Sequence, residues 1–300
     1  MQLKSKIILL IFLFVFLTYI KKKKNIKICL CTIGKLENRY IREFIEHYKK
    51  YKVDKIFLYD NNDKNDEKFD YVISDYIKNG FVKILNWRGK KKIQKLAYEN
   101  CYQLNKKIYD FFLFYDIDEF IYLENMNLKF FLSQKKFHKC QAIQLNWVMH
   151  TDNNALYFYN DSLFKRFPKK GKSLKDICDV KSIIRGNLTI KINHAHFANP
   201  NITCCDGYGK IKKNFTLRKK AYYKKYYIDH FFTKSTEELI IKIKKGSVAK
   251  NSSRINYLIN SYFQINKVTR DKINYIEKKI FINLSRYKKR NELFNSKNLD

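Results

Sequence analysis

The hydrophobic and polar positions between residues 26 and 116 follow two alternating patterns. Short, continuously apolar runs of strand length are separated by segments whose apolar residues recur three and four positions apart, as on one face of a helix. These patterns predict four strands with three helices between them, an arrangement typical of an α/β fold with a doubly wound, mostly parallel sheet. The predicted strands are Ile26–Gly34, Asp54–Asp60, Phe81–Leu85 and Asp110–Asp116, and the predicted helices are Glu37–Lys50, Tyr71–Asn79 and Lys90–Lys107.

The pattern changes after residue 119. Three further apolar runs, Ala142–Trp147, Asp179–Ile184 and Asn187–Asn193, predict strands, and Ser235–Leu293 predicts helices rich in Ile, Tyr and Lys. Neither an internal repeat nor a Pro/Ser-rich linker interrupts the chain. We therefore predict one domain over residues 25–247 and a helical C-terminal extension over residues 248–300.

Polar residues follow each of the four N-terminal strands. In open α/β sheets, ligands bind beyond the carboxyl ends of the strands. We therefore expect one functional edge of the sheet. Its polar clusters are Gly34, Asp60–Asn61, Trp87–Arg88 and Asp116–Glu119.

The N-terminus carries an uncharged apolar run, Ile7–Ile20, between lysines on either side. The run is shorter than the roughly 20 residues that span a bilayer, and no small-residue cleavage site follows it. We interpret residues 1–24 as an uncleaved signal anchor with a basic flank, which predicts a single-pass membrane protein. The charges leave open whether the domain lies in a Golgi-type lumen or at a bacterial inner membrane.

The net charge of +34 favours an anionic partner or a membrane surface. A plain basic surface explains the charge equally well, and because no nucleic-acid-binding module is recognisable we expect no nucleic acid partner. None of the seven cysteines forms a CxxC pair, so we expect no structural zinc site. We predict that most cysteines are buried as small apolar residues; one or two disulfides remain open.

Asp116 and Asp118 follow directly on a buried strand, and residues two apart on a strand project to the same side. Two neighbouring carboxylates repel each other unless a cation lies between them or one is protonated. Their oxygen ligands suit Mg²⁺ or Mn²⁺ bridging a diphosphate. A solvated acidic turn is the alternative, but the apolar strand that leads into the pair favours the metal site.

The segment FFLFYDIDEF, together with Tyr59–Asn61, resembles glycosyltransferase family 92 and the related family 2-like glycosyltransferases. Further segments are similar in the same order. They are Trp87 followed by Gln94, Asn146–Phe167, Lys181–Gly186 and His230–Gly246. Two departures affect the acceptor side, since Gly186 stands where the family has proline and His150–Thr151 replaces a small Gly-containing turn.

This resemblance implies a GT-A-like fold and an inverting, metal-dependent transfer of a sugar from a nucleotide-diphosphate donor to a glycan or glycolipid acceptor. Asp116 and Asp118 would bind the metal and the diphosphate. The third metal ligand would be His194 or His196, with His196 preferred, or else His230. The predicted donor-binding residues are Thr32, Asp60, Asn61, Arg88, Gln94, Asp116 and Lys234, and Arg166 and Lys181 are further candidates for phosphate contacts.

Inverting transfer needs a general base that deprotonates the acceptor hydroxyl. Asp152 is the candidate, with a turn-forming role as its alternative, and Glu119 is the second choice. Two other function classes stay open: a haloacid-dehalogenase-type phosphatase, which also has an apolar strand before a DxD motif, and a non-enzymatic, membrane-tethered polyanion-binding protein.

Overall fold

The computed structural model describes residues 25–171, 180–192, 202–212, 224–245, 252–280 and 284–285. Within these ranges, no helix combines the length and the apolar character that crossing a membrane requires. The predicted anchor, residues 1–24, lies outside the described residues, so it stays a prediction.

Ten strands form one mixed sheet with the order β3-β2-β1-β4-β7-β6-β10-β5, and β8 pairs with β6 and β9. The strands are β1 Ile28–Gly34, β2 Lys55–Asp60, β3 Val82–Asn86, β4 Phe111–Phe114, β5 Glu119–Leu123, β6 Ala142–Met149, β7 Val180–Arg185, β8 Cys204–Asp206, β9 Ile211–Lys212 and β10 Tyr226–His230. The helices are α1 Asn38–Lys50, α2 Asp70–Lys78, α3 Gln94–Asn105, α4 Leu128–Leu132, α5 Leu163–Arg166, α6 Thr236–Lys244, α7 Ser252–Ile265 and α8 Arg270–Ile280, with a short 3₁₀ helix at Lys135–Phe137.

The first half of the sheet is parallel, because β1 pairs in parallel with both β2 and β4, and β2 pairs in parallel with β3. Every residue of β4 is buried, as its unbroken apolar sequence predicts for a strand covered on both faces. The helix α1 buries Tyr40, Ile41, Phe44, Ile45 and Tyr48 against one face. The predicted α/β class and the four N-terminal strands are confirmed.

The second half is mixed. The strand β7 runs antiparallel to both β4 and β6, whereas β10 pairs in parallel with β6 and antiparallel with β5. The predicted strands at Ala142–Trp147 and Asp179–Ile184 correspond to β6 and β7. The prediction of a strand at Asn187–Asn193 is wrong for residues 187–192, which form none. Their polar and apolar residues alternate, but no neighbouring strand pairs with them.

Two disulfide bonds correct the prediction for the cysteines. Cys31 of β1 is bonded to Cys101 of α3, and Cys140 is bonded to Cys205 of β8. Four of the seven cysteines are therefore paired, in the two disulfides that the sequence left open. The spacing of the cysteines could not show this pairing, because the partners are 70 and 65 residues apart.

The C-terminal helices α7 and α8 pack with α6 around a separate apolar cluster that includes Leu239, Tyr262 and Ile276. The helix α6 begins at a capping box in which Ser235 and Glu238 satisfy each other's backbone N–H groups. The predicted tail helices are thus present, and they pack against α6. The residue bounds drawn for the three regions stay predictions.

Candidate functional site

The carboxyl ends of β1, β2, β3 and β4 meet at one edge of the sheet, as the sequence predicts. The end of β1 approaches the Asp116–Asp118 motif closely: a Cβ on Gly34 would lie 2.6 Å from Ile117 Cδ1 and 2.7 Å from the Phe69 ring. A larger residue here would require the Ile117 and Phe69 side chains to move. The motif is therefore held directly against the end of the first strand.

Asp116 is the more accessible of the two aspartates, with a side chain that is 31% exposed. Its Oδ1 accepts hydrogen bonds from Gln94 Nε2 at 2.8 Å and from the Tyr98 hydroxyl at 3.0 Å. Its Oδ2 accepts one from Lys181 Nζ at 2.9 Å. Two side chains of α3 and one of β7 thus fix this carboxylate.

Asp118 lies in a more enclosed and more positively charged place. Its Oδ2 is 3.2 Å from Lys242 Nζ and 3.4 Å from Lys234 Nζ, and its Oδ1 is 3.6 Å from His230 Nε2. Burial by itself raises the pKa of the Asp118 carboxyl, but Lys242, Lys234 and His230 outweigh it and hold the pKa well below its ordinary value. Asp118 is therefore a carboxylate at any physiological pH.

Glu119 and Lys181 form a fully buried pair behind the motif, with Lys181 Nζ 3.2 Å from Glu119 Oε2. The other oxygen, Oε1, has no hydrogen-bond partner among the described residues. Burial raises the pKa of Glu119 well above its ordinary value, and Lys181 offsets this only in part. Glu119 lines neither of the two clefts described below, so its surroundings do not favour the role of general base, which stays a prediction.

Asp60 and Arg88 organise the loop after β2. Arg88 Nη1 lies 2.7 Å from Asp60 Oδ2, and its guanidinium also donates to the backbone carbonyls of Asp63, Asp66 and Glu67. Asp60 Oδ1 in turn accepts from the backbone and side chain of Asn62. The predicted donor contacts of Asp60 and Arg88 stay predictions, because both side chains are engaged in shaping this loop.

A cleft of about 450 Å³ lies at the ends of β1 and β2, and we call it the larger cleft. Its lining residues are Ile33, Gly34, Lys35, Asn61, Lys92, Ile93, Gln94 and Lys95. The helix α3 begins at this cleft without a side-chain cap and without an acidic residue in its first turn. Its first N–H groups, together with Lys92 and Lys95, therefore offer an anion-binding surface, while Lys35 is bonded to Asp63 at 2.8 Å. Gln94 connects the cleft to Asp116.

A second cleft, the smaller cleft, has a volume of about 190 Å³ and lies on the other side of the 33–37 segment. Lys234 and Lys242, the two lysines that contact Asp118, line it together with Tyr40. Lys234 also lies over the Tyr40 ring, 4.6 Å from its centroid. Each aspartate of the motif thus neighbours a different cleft through the side chains that bind it.

Asp152 follows β6 and is embedded under the C-terminal helices. It is 1% exposed. Its Oδ2 lies 2.6 Å from Lys272 Nζ and accepts the Tyr262 hydroxyl at 2.5 Å, while Oδ1 accepts the Asn154 backbone N–H. These contacts join the β6 loop to α7 and α8. They favour a structural role, and the assignment of Asp152 as general base stays a prediction.

The other predicted site residues fall into three groups. Thr32 is fully buried, with an Oγ1 that has no partner among the described residues. Arg166 is buried and makes a bidentate pair with Glu238, so it does not offer its charge to a phosphate. His194 and His196 lie outside the described residues.

The side chains do not fit a divalent cation bridging Asp116 and Asp118. Three of the four carboxylate oxygens already accept hydrogen bonds from the chain, and Asp118 Oδ2 faces two ammonium groups. Within the described residues, the group of three potential ligand atoms that lie within 4.8 Å of one another is Cys29, Cys31 and Cys101, and two of these cysteines are joined in a disulfide. The requirement for Mn²⁺ or Mg²⁺ stays a prediction.

Two residues of the site were missed from the sequence. Tyr98 stands one helical turn after Gln94, a spacing that places both on the same face of α3. Lys242 stands one turn after Glu238 in the segment His230–Gly246, and no role was predicted for it from the sequence. Their spacing along each helix was the available signal. What it could not show was that the two helices lie on opposite sides of the motif.

Comparison with known proteins identifies the family of this chain. A family model described as glycosyltransferase family 92 matches residues 24–259. A glycosyltransferase family 92 protein of Ricinus communis is 26% identical over 104 residues, which cover 35% of this chain and only 18% of that relative. Two crystal structures of S. aureus TarS are also similar. The structure of residues 1–349 has 14% sequence identity and a TM-score of 0.37, and the match covers 80% of this chain and 72% of that chain. The structure of a longer TarS chain has 13% identity and a TM-score of 0.34, and the match covers 81% of this chain and 44% of that chain. Because the family model spans most of the sequence, the chain belongs to glycosyltransferase family 92.

Proposed function

We propose that this protein is a glycosyltransferase that binds a nucleotide-diphosphate sugar at the carboxyl edge of its sheet and transfers the sugar to a hydroxyl of a glycan or glycolipid. Membership of the family supports the reaction class. The larger cleft supports the donor, because Lys35, Lys92, Lys95 and the uncapped start of α3 surround it. This anion-binding cleft at the strand ends is the observation that carries the proposal.

In this proposal the nucleotide lies in the larger cleft and its diphosphate reaches past Gly34 to the Asp116–Asp118 motif. The reacting sugar then lies beside Asp118, between the larger and the smaller cleft. The acceptor approaches through the smaller cleft, which is lined by Tyr40 and by the two lysines that contact Asp118. Transfer is inverting in this proposal, so the acceptor hydroxyl attacks the anomeric carbon as the nucleoside diphosphate leaves.

The alternative phosphatase function is less well supported. A phosphatase of the haloacid-dehalogenase type needs its first aspartate as a nucleophile. Here Asp116 is engaged by Gln94, Tyr98 and Lys181, and the engaged lone pairs weaken it as a nucleophile.

We further propose that the N-terminal segment anchors the protein in a membrane, where its basic surface faces anionic headgroups.

The test is a donor screen that measures the release of UDP, GDP or ADP from a panel of nucleotide sugars, followed by donor titration of two variants. We expect Lys92→Glu with Lys95→Glu to raise the KM for the donor by about tenfold or more, because both charges reverse beside the phosphates. Lys107→Glu changes an exposed lysine beyond the far end of α3 and should leave the KM unchanged. Equal KM values for the two variants would contradict the assignment of the larger cleft.

A further inference from the structure

Three lysines from three different elements converge on the two aspartates of the motif. Lys181 comes from β7, Lys234 precedes α6, and Lys242 lies on α6 two turns later. Their ammonium groups lie 2.9–3.4 Å from the carboxylate oxygens. Lysine is seldom buried unless it is paired. Three buried or half-buried lysines at one acidic motif therefore mark a place where positive charge is needed.

The position of Lys234 is also conformationally unusual. Its backbone φ is 51°, in the left-handed region that disfavours a long side chain. Such conformations persist where the surrounding structure enforces them, and they cluster at functional sites. Here the turn directs the side chain between Asp118 and the ring of Tyr40, into the smaller cleft.

The donor capacity of these ammonium groups is not exhausted by the motif. Each ammonium carries three N–H donors. Lys242 uses two of them, on Asp118 Oδ2 and on the Phe232 carbonyl at 2.9 Å. Lys234 uses one, on Asp118 Oδ2. Among the described residues, these hydrogen bonds occupy two of the three donors of Lys242 and one of those of Lys234, so each ammonium group can also donate to an oxygen of a ligand beside Asp118.

We propose that Lys234 and Lys242, supported by Lys181, neutralise the leaving diphosphate in place of a divalent cation, so that donor binding and transfer do not depend on a metal. The inference rests on the proposed function. Asp118 is the counter-ion that lies against both lysines. The charge that develops on the departing nucleoside diphosphate meets fixed ammonium groups, which is electrostatic stabilisation of the usual kind for transferred anions.

The first experiment measures the binding of UDP and GDP to the unmodified protein by calorimetry, once with EDTA and once with MnCl₂. We expect the Kd to agree within about twofold between the two conditions, a free-energy difference smaller than one ordinary contact. Loss of binding in EDTA with recovery in MnCl₂ would overturn the inference and leave the proposed function standing. Absence of nucleotide binding in both conditions, with no sugar transfer, would overturn the proposed function itself.

The second experiment compares variants of α6 under EDTA. We expect Lys242→Met to weaken UDP binding by about tenfold or more, as is usual when a charge-assisted hydrogen bond is lost, and Lys242→Arg to restore most of the affinity. Lys244→Met is the matched control, since Lys244 is exposed on the same helix and contacts neither aspartate. Thermal unfolding of each variant reports folding separately. Equal UDP affinities for Lys242→Met and Lys244→Met in folded proteins would contradict the inference.

Discussion

The two aspartates of the motif differ more than their spacing suggests. Asp116 is partly exposed, and two of its three partners are the neutral side chains Gln94 and Tyr98 on α3. Asp118 is buried among Lys234, Lys242 and His230, at the start of the second half of the sheet. Two identical residues thus connect to two different clefts. The difference teaches that a DxD pattern fixes the residue types, while the packing around each carboxylate decides its role.

The largest expected difference between the surroundings of Asp116 and those of Asp118 is in the free energy of unfolding. Asp118→Asn should lower the free energy of unfolding by about 3–5 kcal/mol, because it leaves two ammonium groups without a counter-ion in an enclosed place. Asp116→Asn should cost less, since Lys181 keeps Glu119 as a partner. Urea unfolding of both variants measures this, with the exposed Asp63→Asn as a control. An equal or larger loss for Asp116→Asn would break the comparison.

The hydrogen bonds to Asp116 Oδ1 come from α3, and the Cys31–Cys101 disulfide links this helix to β1. Cys101→Ser should lower the free energy of unfolding by about 2–4 kcal/mol and should also raise the donor KM, because Gln94 and Tyr98 move with α3. Cys205→Ser breaks the other disulfide and should give a similar loss of stability without the change in KM. If both variants changed the donor KM alike, α3 would not be the element that matters.

The free energy of unfolding should depend on pH through His47, which packs near β5, the strand that follows Asp118. This side chain packs under β5, where its Nε2–H donates to the Ile121 carbonyl at 2.9 Å, and burial lowers the pKa of His47 from 6.5 to about 4. The unfolded chain therefore binds the proton more readily than the folded one. Stability is highest above pH 6.5 and falls as the pH drops towards 4, by at most about 3 kcal/mol. Below both pKa values this loss is complete.

The measurement is urea unfolding of the unmodified protein and of His47→Gln between pH 7 and pH 4. Since glutamine can donate to the same carbonyl and does not titrate here, the variant should lose less stability across this range. Parallel pH profiles for the two proteins would show that His47 is not the titrating group.

The smallest expected effect concerns Gln94. Gln94→Met removes one donor to Asp116 Oδ1 and leaves the Tyr98 hydroxyl in place. A single hydrogen bond of this kind contributes about 0.5–1.5 kcal/mol, so the donor affinity should fall by tenfold or less. Gln103→Met, on the same helix but bonded to Glu99 and Ile190, is the control. A Gln94 effect no larger than the Gln103 effect would remove the link between the larger cleft and Asp116.

Local sequence was a good guide where contacts are local or repeat regularly. The four N-terminal strands and their helices could be predicted because each has its own local pattern. A buried strand is a short continuous apolar run, and a helix has apolar residues three and four positions apart. The polar residues at the strand ends followed from the same regularity. The strands β5 and β10 were not predicted, because they are short and pair with each other across about a hundred residues of chain. Gly186 shows the same limit: a Cβ there would lie 1.9 Å from the Tyr109 carbonyl, so the departure from proline has a packing reason that lies far away in sequence.

The sequence by itself determined the α/β class, the edge of the sheet where chemistry is expected, and the ordered motifs that place the chain among family 92 glycosyltransferases. These conclusions depend on residue types and periodicity, which can be recognised within short segments of the sequence. Only the tertiary structure decided that Asp116 and Asp118 are bound by side chains of two different clefts, that Asp152 is paired with Lys272, and that Lys242 reaches the motif. Those outcomes depend on side chains brought together from distant elements, and the energy of a charge in a folded protein is set by such neighbours.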